Sequence, residues 1–568
     1  MPLHSPTQTL KKPDSSSKQK DAIQKIQVDK KRRDQVVDAL RHGTSFYNAH
    51  PPKAWIGYKK YAWGKDELLP VSKRGKDWFV MGLTIIDTLD TAFIMGQKDI
   101  YQECRKWVKD SFDLSKSGYA SVFETNIRVV GGFLATYNLT GDALFLDKAK
   151  LVADGLLKAF HPTSGIPYPY YSFSSETPNG NTISLAEIGT LQMEFKYLTH
   201  LTGDVKYWNA AQKISQMIFD RHEKDGLIPL DFGVANAAYT SQRISIGSSA
   251  DSYYEYLYKQ WLQTNKSESV LETKWHESVG GVRKHMLGIS KENAYIFVGQ
   301  LSSGLGSILN VNFEHLACFY AAMLALSGSQ GVALDSRKLS ATDLMDIDLG
   351  EELTRSCYEM YRQTPSKLSP DHVNWHDSPS PQSRQANERI DPQKDALRFH
   401  QSAPLDASLM QDYKHFKKSS SRLKSIDEDQ PGSDFDISGP DNLLRPETIE
   451  SIFVLYRTTR DPVYRQMGWN LFEAFMNHTK VASGGFSSLV SVYFGKLMCK
   501  SNVGSSDPPK SDKMETFFLG ETLKYFYLLF SEESLIPLDI YVFNTEAHPL
   551  PIFDVREDIK HDLLWLKE

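Results

Sequence analysis

Ionisable side chains recur inside apolar stretches of this chain at an almost constant interval. Glu124 lies in Val122-Phe123-Glu124-Thr125-Asn126-Ile127-Arg128 and Glu187 in Ser184-Leu185-Ala186-Glu187-Ile188-Gly189. Asp251 opens Asp251-Ser252-Tyr253-Tyr254-Glu255-Tyr256-Leu257, and His315 sits in Phe313-Glu314-His315-Leu316-Ala317-Cys318-Phe319. Successive members are 63, 64 and 64 residues apart. Each precedes an apolar run of helical spacing that stops at Gly141, Gly203, Asn265 or Gly328. The turns repeat too: Leu139-Thr140-Gly141-Asp142 matches Leu201-Thr202-Gly203-Asp204, with a looser copy at Thr458-Thr459-Arg460-Asp461. There Gly or Arg ends one helix and Asp caps the next. Such a unit is a helix hairpin, which buries its apolar face only by stacking on its neighbours. Stacked around a ring, the hairpins bring the four side chains to one end. Glu447, in Leu444-Arg445-Pro446-Glu447-Thr448-Ile449-Glu450, bears the same relation to the turn at Asp461. Proline with acids at a helix start is also ordinary initiation chemistry, which explains one such residue well and a phased set poorly.

Strand signals are confined to pieces such as Tyr168–Tyr171 and Phe486–Val492, so an all-α fold, a closed barrel of hairpins, is expected. Residues 1–30 read as a flexible tail or stem and residues 31–568 as the folded unit. Helical spacing is read over Asp34–Tyr47 and Trp78–Met95; in the second, Asp87 and Asp90 need partners or a wet cavity. A stretch rich in Ser, Pro, Asp and Lys at about 367–439 reads as a disordered surface insertion. The formal charge of -5 gives no reason to expect nucleic acid or an anionic membrane as partner. No apolar run reads as a transmembrane segment, and no signal-peptide core appears. Three N-glycosylation sequons begin at Asn138, Asn265 and Asn477.

Near the end, Asn544-Thr545-Glu546-Ala547-His548-Pro549 places polar groups between apolar flanks. Thr545 offers a carbonyl and a hydroxyl, and Glu546 a carboxylate, the oxygen donors that a hard cation prefers; a capped turn is the plainer reading.

Five ordered motifs together give the chain a resemblance to class I α-1,2-mannosidases, glycoside hydrolase family 47. They are Phe123–Arg128, Asp251–Leu257, Leu444–Thr448, Lys513-Met514-Glu515-Thr516-Phe517-Phe518-Leu519-Gly520-Glu521-Thr522, and Asn544–Pro549. The resemblance implies an (α/α)7 barrel around one Ca²⁺ bound by Thr545. It implies exo-hydrolysis of terminal α-1,2-linked mannose from high-mannose N-glycans, with inversion, in the secretory pathway lumen (ER or Golgi) or outside the cell, by a monomer. Glu124, Asp251 and Glu447 match the essential carboxylates. Glu124 corresponds to the usual general acid, with Asp251 its rival, and Glu447 to the general base. Arg128, Glu187, His315, Arg445, Glu450, Phe517, Glu521 and Glu546 match residues around the sugar and the ion. Cys318 and Cys357 match the family's disulfide, whereas Cys104 and Cys499 are expected as buried free thiols. Ser249 stands where ER-type members carry Arg, implying broad rather than single-branch trimming. The rival reading is a glycan-binding quality-control factor of the degradation-enhancing mannosidase-like type. Those proteins have long extensions after the barrel, and this chain ends nineteen residues past Pro549.

Overall fold

The structure, a computed structural model, describes residues 18–41, 54–376, 434–493 and 507–565. Its helices are α1 (Lys18–Leu40), α2 (Ala54–Tyr61), α3 (Leu83–Ile94), α4 (Lys98–Ser111), α5 (Gly131–Thr140), α6 (Ala143–Leu157), α7 (Gln192–Thr202) and α8 (Lys206–Phe219). There follow α9 (Asp251–Gln263), α10 (Ser269–His285), α11 (Phe319–Ser329), α12 (Ala341–Arg362), α13 (Glu447–Thr459), α14 (Pro462–His478) and α15 (Leu523–Leu529). Helices α3, α5, α7, α9, α11, α13 and α15 form an inner ring. Each packs on the next, and the π-helical turn Phe518–Thr522 ahead of α15 closes the ring against α3. Helices α4, α6, α8, α10, α12 and α14 pack outside their partners, and α1 packs on α15 as the seventh outer helix. Hydrophobic burial decides this arrangement, because an inner helix meets neighbours on every side, and α11 is accordingly apolar nearly all round. In α11 every residue is buried. The stretch His315–Ser336 is therefore long and apolar enough to cross a membrane by composition, contrary to the expectation of none, yet 72% of its apolar window lies inside the molecule.

The hairpin turns follow the sequence pattern. Gly141 and Gly203 hold left-handed φ of 70° and 75°, and the Asp142 carboxylate accepts from Leu144 N at 3.1 Å. Arg460 adopts φ 57° without a glycine's freedom, and Asp461 caps Val463 N at 2.9 Å. The fourth turn falls at Gln330 (φ 54°), not at Gly328. Gly328 is inside α11, where a Cβ would lie 2.4 Å from the Asp343 carbonyl, so its small size serves helix contact.

Other boundaries differ from expectation. Helix α1 begins at Lys18, within the expected tail, and ends at Leu40; residues 42–53 lie outside the described set. Helix α3 starts at Leu83 because the buried Asp66 carboxylate accepts the backbone N–H groups of Trp78, Val80, Met81 and Leu83 at 2.7–3.1 Å, bending 78–82 into a turn. Both ends of the insertion are ordered: His372–Trp375 pairs with Phe435–Gly439 and with Asn312–Glu314 in a three-stranded sheet. Residues 377–433 are outside the described set. Seven two- or three-stranded sheets decorate the barrel among the described residues. Tyr170–Ser172 is one strand, whereas Phe486–Val492 contributes only isolated bridges at Phe486 and Leu489. Cys318 and Cys357 form a disulfide joining the start of α11 to α12. Cys104 is free and buried, and Cys499 lies outside the described residues.

Candidate active site

A cavity of about 560 Å³ opens at the barrel end where the inner helices begin. Glu124, Arg128, Glu187, Asp251, Arg445, Glu447, Glu450, Phe517, Glu521, Thr545 and Glu546 all line it. The phased residues occupy equivalent places. Glu124 closes a single helical turn (Val122–Glu124), Glu187 lies in another (Leu185–Gly189), and Asp251 and Glu447 are the first residues of α9 and α13. His315 opens the 3-10 turn before α11 and stands behind Glu447 rather than in the lining. Its Nδ1 is 3.0 Å from Glu447 Oε2, while Nε2 is held by the hydroxyls of Tyr361 and Thr448 at 3.0 and 2.9 Å.

Helix-start chemistry accounts for part of Glu187. Its Oε2 accepts from Ser184 N and Oγ at 2.8 Å, completing a capping box while the residue faces the cavity. The two π-helical stretches described, Thr125–Val130 and Phe518–Thr522, carry Arg128 and Glu521; such bulges re-aim side chains at functional positions. Arg128 donates through Nε to Glu124 Oε2 at 2.7 Å and through Nη1 to Glu546 and Thr516, and its guanidinium lies 5.9 Å from the Phe517 ring. Arg445 donates to Asp371 Oδ1 at 2.7 Å, with Nη1 4.0 Å from Glu447 Oε1.

Thr545 sits on the turn joining the strands Tyr541–Phe543 and Pro549–Pro551. Asn544 Oδ1 accepts from Glu546 N and His548 N at 2.9 and 2.8 Å, so the expected capped turn exists. Lys524 Nζ, fully buried, donates to the Ala547 carbonyl at 2.6 Å and to Asp90 at 3.0 Å; Asp90 is also 2.9 Å from His548 Nδ1. Asp87 and Asp90 therefore have buried partners, Arg128 and His548 for the first, Lys524 and His548 for the second. The Thr545 carbonyl and hydroxyl make no hydrogen bond among the described residues.

Nine carboxyl groups but only two guanidiniums line the cavity, so charge is poorly balanced. Burial raises Asp251 to about 7, helped by Glu255, Glu314 and Glu447, against one N–H from Ser252. Burial likewise carries Glu450 to about 7, although the Lys259 ammonium opposes it. Glu521 and Glu546 are pushed well up by burial, each further raised by a neighbouring carboxylate and lowered by Arg128. For Asp90, burial acts upward, but Lys524 and His548 outweigh it and hold the carboxyl below its usual range. Surplus carboxylates beside two unengaged threonine oxygens fit a divalent hard cation. Among the described residues no three His, Cys, Asp or Glu side chains converge into a cage of their own.

Several residues here escaped the sequence reading. Glu255 and Lys259 form a buried ion pair one and two turns beyond Asp251, and Lys259 reaches Glu450 at 3.5 Å. Glu255 was visible in its motif; Lys259 carried no signal because a lysine on a helix is ordinarily solvated. Glu194 is buried and accepts from Asn126, Tyr256 and Asn544, and Asp371 sits near the insertion's start.

The sequence of residues 52–552 matches the model of Glycosyl hydrolase family 47. The human endoplasmic reticulum mannosyl-oligosaccharide 1,2-alpha-mannosidase is 38% identical over 508 residues, 88% of this chain and 62% of that protein. The chain thus spans under two thirds of that relative's length. The Candida albicans mannosyl-oligosaccharide 1,2-alpha-mannosidase is 37% identical over 89% of this chain and 83% of its own. In structure, an alpha-1,2-mannosidase from Trichoderma reesei superposes with a TM-score of 0.72 at 26% identity, covering 94% of this chain and 99% of that one. With the ring of hairpins, the cavity of phased acids and a match from residue 52 to residue 552, this chain belongs to glycosyl hydrolase family 47.

Proposed function

We propose that this chain is an inverting exo-α-1,2-mannosidase that trims high-mannose N-glycans in the secretory pathway lumen. One observation carries the reading: acids from separate helix pairs meet Thr545 in a single cavity. Inversion needs one carboxyl that holds a proton and another that is ionised across the bond, roughly 6.5–9.5 Å away. Glu447, oriented by His315, takes a proton from the water that attacks the anomeric carbon. Asp251, which burial keeps protonated to about pH 7, supplies the proton to the departing glycosidic oxygen. Glu124, tied to Arg128, orients that side of the sugar, and Phe517 offers its ring to the apolar sugar face. The carbon–oxygen bond breaks as the water oxygen bonds, releasing mannose and a glycan one sugar shorter.

The residues fit a Ca²⁺ held directly by Thr545, with Glu187, Glu450, Glu521 and Glu546 around it. When bound, the ion supplies a fixed charge that offsets the carboxylates and orients sugar hydroxyls. Ser249, at the cavity wall with φ 75°, leaves the mouth without a long cationic contact, which favours broad trimming. The disulfide and the relatives' printed location support an oxidising lumen. The test is a time course of Man9GlcNAc2 digestion with calcium and with EDTA. Loss of several mannoses in calcium and none in EDTA is expected. Trimming unaffected by EDTA would refute the ion, a clean stop after one mannose would refute broad specificity, and binding without release would favour the quality-control factor.

A further inference from the structure

Beneath the Thr545 turn lies a buried polar triangle whose side chains hydrogen-bond to no cavity-lining carboxylate among the described residues. Glu194 on α7 is wholly enclosed. Its Oε1 accepts from Tyr256 Oη at 2.7 Å and from Asn544 Nδ2 at 2.8 Å, and its Oε2 accepts from Asn126 Nδ2 at 2.8 Å. Asn544 Nδ2 also donates to the Ile127 carbonyl at 2.9 Å, while its Oδ1 takes the two N–H groups that set the turn. Tyr256, on α9 and fully buried, closes the figure, its hydroxyl oxygen 3.4 Å from Thr545 N.

Enclosing a carboxyl without solvent is costly unless its oxygens are engaged. Here three donors from α7's neighbours converge on one group: the π turn (Asn126), α9 (Tyr256) and the C-terminal hairpin (Asn544). With Asn544 and Tyr256 fixed, the peptide of Thr545 has one orientation, which leaves its carbonyl and hydroxyl without a hydrogen-bond partner among the described residues. The opposite side of the turn is pinned separately by Lys524 on the Ala547 carbonyl. We infer that Glu194 and Tyr256 are positioning residues for ion binding: they aim the Thr545 oxygens at the cavity without touching ion or sugar. This rests on the proposed Ca²⁺ at Thr545. Outer partners of this sort change metal affinity by about 10–100-fold when altered.

The test uses the full chain and its Tyr256→Phe and Glu194→Gln forms, both close to isosteric. Calcium affinity is measured by titration calorimetry, and the Tm of each protein is recorded in EDTA and in calcium. The unaltered chain should bind and gain Tm with calcium. Both variants should bind about tenfold or more weakly, with Tm in EDTA within a few degrees of the unaltered chain. No calcium binding by the unaltered chain would overturn the proposed ion and this inference with it. Binding by the unaltered chain with variant affinities within twofold would overturn this inference alone, as would a large fall in Tm in EDTA with affinity unchanged, which would make the triangle a folding device. Should Glu194→Gln fail to fold, Tyr256→Phe, which deletes one hydroxyl, decides.

Discussion

Among single residues, environment matters more than identity. Glu447 and Glu450 share a helical turn, yet Glu447 contacts His315 and approaches Arg445, whereas Glu450 meets Lys259 and Tyr525. Replacing Glu447 by Gln should cut kcat by about 10²–10⁴-fold, the span of general-base catalysis, while calorimetry still detects glycan binding. Comparable loss of binding would place Glu447 in substrate recognition instead. Burial also makes the metal-free protein pH-sensitive. Asp251, Glu450 and Glu194 are each raised to about 7 by burial, above their unfolded values. Between the unfolded and folded values the native state holds more protons, so stability falls as pH rises through this window. In EDTA, Tm should therefore climb from pH 8 to pH 6. A flat profile would show these carboxyls to be relaxed by water.

In the secondary-structure elements, glycines mark where helices and turns approach. A Cβ on Gly131, at the start of α5, would lie 2.5 Å from Asn544 Nδ2, and its neighbour Gly132 faces His548. Gly131→Ala should destabilise the protein by about 1–3 kcal/mol through overpacking, despite better helix propensity, and disturb the Thr545 turn. Gly280 on α10 is exposed with nothing near its Cβ direction, so Gly280→Ala should stabilise by about 0.5–1 kcal/mol. Denaturant melts of the pair separate the two effects; equal shifts would mean that the contact at Gly131 is soft. The same elements show what sequence made legible. Gly141-Asp142 and Arg460-Asp461 announced their turns through capping chemistry, which is local. Gly328 misled because a glycine needed for helix contact and one needed for a turn look identical in sequence. The start of α3 was overrun because Asp66, remote from it in the chain, shapes residues 78–82.

For the whole molecule, closure of the ring couples the two chain ends. Helix α1 covers α15, and Arg32 lies 5.2 Å from the Trp469 ring. The Cys318–Cys357 bridge ties inner to outer helix across a separation of 39 residues. Replacing both cysteines by Ala should cost about 2–4 kcal/mol, read as a fall in Tm, with activity retained below the new transition. No fall in Tm would mean that helix packing alone holds this pair. Of the sequons, Asn265 and Asn477 are exposed, while Asn138 is half-buried and accepts from Tyr197 Oη at 3.2 Å.

Periodicity alone set the helix hairpins, their turns apart from the one at Gln330, and the phasing of Glu124, Glu187, Asp251 and His315, because helix propensity, capping and apolar spacing act within a few residues. The resemblance added the remaining site residues. Only the closed ring decided that Lys259 would lie beside Glu450, that Glu194 would sit under Asn544, and that His315 would stand behind Glu447. Those contacts join residues 132 to 350 positions apart. A buried carboxylate or ammonium has no local signature: its partner comes from another hairpin, and the energy that makes the pairing necessary appears only when both have left water.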